Sequence, residues 1–79
     1  MKEFPATFKR GDVVRSTDGR ALGVVLFVED MGEFKPGLVE LHVDMPGQGV
    51  GIWNADTAVL SNDPASVEEA RRLGLRGLS

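Results

Sequence analysis

Apolar and polar residues alternate over Gly37–Asp44, with Val39, Leu41 and Val43 on one side and Glu40, His42 and Asp44 on the other. A period of two with one apolar side predicts a strand with one buried face. Leu22–Glu29 is different: its apolar run is nearly continuous, which predicts a strand with contacts on both faces. Gly23 inside that run predicts a bulge or a sharp bend. Before it, Gly11–Ser16 reads as a short strand and Thr17–Arg20 as a turn, since Asp18-Gly19 supplies positive φ between apolar runs. Asp30–Pro36 is a loop with Gly32 and Pro36 as breakers. Met45–Gly49 is a turn, Val50–Trp53 a fourth strand and Thr57–Leu60 a fifth, with one 3₁₀ turn at Asn54–Asp56 between them.

The pattern then changes period. Asp63 suits a helix N-cap and Pro64 the first helical position. Glu68 and Glu69 lie early, Arg71 and Arg72 late, as the helix dipole prefers, and Glu68 to Arg72 has the favourable i,i+4 order. Gly74 fits the position after the C-cap. A helix over Pro64–Leu73 is predicted, with Val67, Ala70 and Leu73 as its apolar stripe. The expected fold is all-β: a small five-stranded SH3-like barrel with a short C-terminal helix. Its parts are an N-terminal arm (1–9) anchored by Phe4 and Phe8, a barrel (10–61), and a helix with its tail (62–79).

Size narrows the picture. A chain of 79 residues is one domain, and one this short buries only about 60% of its unfolded surface. Little is left for a deep cleft, which favours a binding module over an enzyme. There is no cysteine, so disulfides and thiolate metal sites are excluded. The N-terminal residues lack a signal-peptide run, and the longest apolar run, Val24–Val28, is too short to span a membrane. A cytoplasmic location is expected. The net charge of −3 is uneven: residues 1–20 carry +2, residues 21–63 carry −6 and residues 64–79 carry +1. An acidic body repels phosphate backbones, which argues against nucleic acid and for a protein partner.

Gly11-Asp12-Val13-Val14 followed by Thr17-Asp18-Gly19-Arg20-Ala21-Leu22-Gly23-Val24-Val25 resembles the opening of a PRC-barrel domain. Ile52-Trp53-Asn54-Ala55-Asp56, then Val59-Leu60, stands where that family closes with a Pro-Trp-like turn and an apolar pair; Ile52 replaces the usual Pro. The resemblance covers residues 10–61 and implies a protein-binding barrel without catalytic residues. Phe8-Lys9-Arg10-Gly11-Asp12-Val13-Val14 is also similar to the first strand of Tudor-like, SH3-like and KOW modules, including the polymerase-interacting domains of CarD-type regulators. Arg15-Ser16-Thr17 lacks the aromatic-Pro pair of that last type.

Glu40, His42 and Asp44 could begin a metal site, but same-face neighbours on one strand stand about 6.6–7 Å apart, too far for ligands about 2 Å from one ion. They are read as an exposed polar face, and the chain as free of metal and cofactor. Asp12 and Asp18 are read as a strand-start and a turn residue rather than an acid pair. Gly47-Gln48-Gly49-Val50-Gly51 joins two strands and is no phosphate cradle.

Partner-binding candidates are Met31 and Phe34, two large apolar residues in a charged loop, with Trp53 at a strand end. Leu73 and Leu78 form a second candidate, where the C-terminal segment could dock on its own barrel, on another copy or on a partner. The expected function is a non-enzymatic protein–protein interaction module. Two alternatives remain: an accessory factor of ribosome or RNA polymerase using Lys9, Arg10, Arg15 and Arg20, or a small structural subunit of a larger complex or virus.

Overall fold

The computed structural model describes residues 8–78. It holds five antiparallel strands, β1 (Val13–Ser16), β2 (Leu22–Asp30), β3 (Val39–Met45), β4 (Gly49–Asn54) and β5 (Ala58–Leu60), and one helix, α1 (Pro64–Arg72). The sheet order is β4-β3-β2-β1-β5. The strands therefore run as a meander, except that β5 returns to lie beside β1. The predicted arm, with Phe4, falls outside the described residues apart from Phe8 and Lys9.

That order carries a strong geometric consequence. β4 and β5 are the two edges of the sheet, yet only the 3₁₀ turn Ala55–Thr57 joins them. Four inter-strand gaps of about 4.8 Å would set the edges of a flat sheet about 19 Å apart. The four 3₁₀ steps from Asn54 to Ala58 advance only about 8 Å, at about 2 Å per residue. The sheet must roll, and it acquires a concave and a convex face.

The concave face is the main core. Phe8, Val14, Val25, Leu41 and Val43 are buried there, with Val28, Val39, Met45, Trp53, Ala55 and Ala58 packed around them. The convex face holds a second cluster of Val13, Leu22, Val24, Ala70 and Leu75, joined by Val67 and Leu78. Successive residues of β1 and β2 thus serve opposite cores, which is why the apolar run at the start of β2 is unbroken: Leu22 to Val25 are all buried.

Gly23 is required, though not for the predicted bulge. It pairs regularly with Val14, and the bulge comes later, where one extra residue, Leu26, separates the pairs Val25↔Val43 and Phe27↔His42. At Gly23 the constraint is room: a Cβ there would stand 2.1 Å from Val43 Cγ1 and 3.0 Å from the Asp44 carbonyl oxygen. Rolling crowds the concave face, and only a residue without a side chain fits.

The helix behaves largely as its sequence predicts. Asp63 accepts from the Ser66 amide at 3.1 Å. At the other end Gly74 adopts φ +74°; its N–H donates to Arg71 O at 3.0 Å, and the Leu75 N–H to Ala70 O at 3.2 Å. These are the paired bonds of a Schellman motif, with Leu75 and Ala70 in apolar contact across it. The motif turns the tail back onto the sheet. Two details differ from expectation: Glu68 meets Arg71, at 3.8 Å, rather than Arg72, and Leu73 is 48% exposed, its place in the apolar contact taken by Leu75 and Leu78.

Polar pins fix what the small core leaves loose. Arg15 of β1 reaches Glu69 at 2.8 Å and Ser66 Oγ at 3.3 Å, tying β1 to α1. Asp44, expected on an exposed face, is buried under the tail, where its carboxylate accepts from the Arg76 N–H at 2.7 Å and from the Arg76 guanidinium. Asp12, also buried, accepts from the Lys9 N–H at 2.9 Å and from Asn62 Nδ2 at 3.1 Å, while Asn62 Oδ1 accepts from the Val13 N–H.

Gly23→Val should destabilise by about 1–3 kcal/mol, the usual cost of overpacking, read from the denaturant midpoint; an unchanged midpoint would contradict the packing described. A second expectation concerns acid. The Arg76 amide, then its side chain, holds the Asp44 carboxyl below its ordinary 3.8. Burial pushes Asp12 up, but the hydrogen bonds from Asn62 and Lys9 outweigh it and leave that carboxyl lowered too. A carboxyl depressed on folding contributes stability that is fully present above its unfolded pKa and is lost as pH falls through the folded value. Stability should therefore drop below about pH 3.8, and Asp44→Asn should be less stable at pH 7 with a shallower acid loss.

Candidate functional site

The residues proposed from sequence do not form one surface. Phe34 is 81% exposed in the β2–β3 loop, while Met31 is half-buried, its carbonyl accepting from the N–H groups of Phe34 and Lys35. Trp53 faces the concave core, its indole N–H directed at Met45 Sδ at 3.1 Å. Trp53 also lines an open depression of about 420 Å³, with Ser16, Thr17, Asp18, Arg20, Ala21 and Thr57. That depression lies beside the β1–β2 turn, at the opposite end of β2 from Phe34. Leu78 packs on the convex cluster and Leu73 faces solvent. The C-terminal segment therefore docks on its own sheet.

The basic residues near the start of the chain are engaged within the fold. Lys9 pairs with Asp12 at 3.3 Å, Arg10 Nη1 donates to Leu26 O at 2.9 Å, and Arg15 is held by α1. Of these four, only Arg20, in the β1–β2 turn and lining the depression, has no side-chain partner among the described residues.

Sequence reasoning missed a different surface. Strand register lays out three rows on the convex face. Val24, Asp44 and Val50 form one, Phe27, His42 and Ile52 the next, and Glu29, Glu40 and Asn54 the third. The helix and tail cover the first row as far as Asp44. Beyond that line the sheet is bare: Phe27 is 56% exposed and Ile52 61%, against 0% for Val24. The Phe27 ring stands edge-on to the His42 imidazole, with centroids 5.3 Å apart. The clue in sequence was the apolar pair Val50 and Ile52 in the fourth strand, whose exposure shows only once the extent of the tail is known.

No family model, curated protein or solved structure matches this chain. The geometry of the molecule itself is what bears on its function. No helix among the described residues is long and apolar enough to cross a membrane.

Leu73 and Leu75 stand two residues apart on opposite sides of this arrangement. Leu75→Ala should cost about 2–5 kcal/mol, as for a buried leucine. Leu73→Ala should stay within about 0.5 kcal/mol. Equal effects in thermal denaturation would contradict the docking of the tail.

Proposed function

We propose that this chain is a non-enzymatic protein–protein interaction module of the small-barrel type, with the rolled sheet closing into an SH3-like or PRC-type barrel. The observation that carries the reading is the bare half of the convex face. Phe27, Val50 and Ile52 stand in solvent on regular strands, where polar residues would serve folding equally well. An apolar patch set on rigid strands and rimmed by polar groups is the usual form of a protein-binding surface. Phe34, the most exposed large apolar side chain described, extends the proposed surface from the loop that follows β2. The acidic middle of the chain favours a partner with a basic rim.

The meander with β5 beside β1 and the 3₁₀ link support the barrel and the PRC-type resemblance. The cytoplasmic assignment rests on the absence of cysteine and of apolar spans in the sequence. Lys9, Arg10 and Arg15 each have a partner on the chain itself, and no observation raises the nucleic-acid reading to equal standing.

Phe27→Ser with Ile52→Ser should leave the denaturation midpoint within about 0.5 kcal/mol of the parent per site. The pair should abolish a partner recovered by cross-linking in the native cell. Recovery at parental yield would contradict this surface.

A further inference from the structure

On the third row of the convex face two carboxylates face each other beside an imidazole. Glu29 and Glu40 are direct register partners across β2 and β3, and like charges set opposite each other destabilise a strand pair. His42 lies diagonally beside them. Its Nε2 is enclosed and makes no hydrogen bond, although Glu29 Oε1 lies 3.4 Å away. A buried ring nitrogen without a hydrogen bond is uncommon, because desolvation is then uncompensated.

We propose that Glu29, Glu40 and His42 form a binding site for a divalent transition-metal ion of the zinc class. One donor atom from each lies within 4.8 Å of the other two, and glutamate side-chain torsions can bring both carboxylates onto an ion that Nε2 already faces. Coordination distances for such an ion are about 2.0–2.2 Å to imidazole nitrogen and carboxylate oxygen. A cation there neutralises the facing glutamates and gives Nε2 its missing partner, so both anomalies have one remedy. The edge contact with Phe27 orients the imidazole, as outer groups orient metal-binding histidines elsewhere. One imidazole and two carboxylates leave a coordination position for water, and the donor set suits zinc, manganese or ferrous iron better than a thiophilic ion.

The set differs from the one that a single strand suggests. Asp44, which alternation places with Glu40 and His42, is held by Arg76; the third ligand comes from the neighbouring strand, where a reading along β3 does not look. The expectation of a metal-free chain rests on the spacing along that one strand, on the single histidine and on the absence of cysteine.

The chain has one histidine and no cysteine, so imidazole coordination is unambiguous in tag-free protein. Zinc should be titrated while the His42 ring is followed by ¹H–¹⁵N NMR and the melting temperature is recorded. The proposal expects the His42 ring signals to shift and the melting temperature to rise. Both effects should disappear in Glu29→Gln and in Glu40→Gln, and the melting shift should also disappear in His42→Ala; all three side chains lie partly in solvent. Unmoved ring signals would overturn the site. So would a response that persists in both glutamine variants, which marks a lone surface imidazole, or a melting shift that survives in His42→Ala.

Discussion

The three-residue link between the edge strands is the constraint on which this molecule depends. Because Ala55–Thr57 must carry the chain from β4 to β5, the sheet cannot lie flat, and most other features answer to that. The concave face is filled by apolar side chains from every strand but leaves no room for a Cβ at Gly23. The convex face is too strongly curved for one short helix to cover. The chain solves half of that problem by folding its tail back through a Schellman turn. Gly77, at φ +94°, lets the tail lie so close that a Cβ there would meet Leu26 Cδ2 at 2.9 Å.

A core of this size leaves the irregular segments weakly held, and buried aspartates hold them instead. Asp44 fixes the tail to β3, and Asp12 ties the start of β1 to the segment after β5 through Asn62. Each accepts backbone N–H bonds as well as side-chain ones, which satisfies orphan donors in segments that have no ladder partner. Arg15 does the corresponding work for α1 from the strand side. The same contacts explain why charges that look available in sequence are engaged in the fold.

Much of the fold is legible in sequence because it is local. Strand alternation, the Asp18-Gly19 turn, the Asp63 cap and Gly74 each act within a few residues, and the elements fall within a residue or two of their predicted bounds. What is illegible depends on contacts across the sheet. Leu26 as the bulge follows from how β2 pairs with β3, and Asp44 as a buried anchor and Leu73 as a solvent-facing residue follow from where the tail lands, which no periodicity encodes. The row of Phe27, His42 and Ile52, which neither helix nor tail covers, is hidden for the same reason: an alternating strand shows which residues share a face, but not whether anything covers it. Among the residues proposed from sequence for recognition, Phe34 alone is fully displayed in the loop, while Trp53 and Leu78 also contribute to the two cores.

The rolled sheet itself is open to direct measurement. In a NOESY spectrum, the Trp53 ring of β4 and the Ala58 methyl of β5 should both show contacts to the concave-face methyls shared by the two edges, Val14 and Val25 among them. A flat or merely twisted sheet keeps Trp53 with β3 and β2, and Ala58 with β1. Edge residues whose contacts divide in that way would contradict the account.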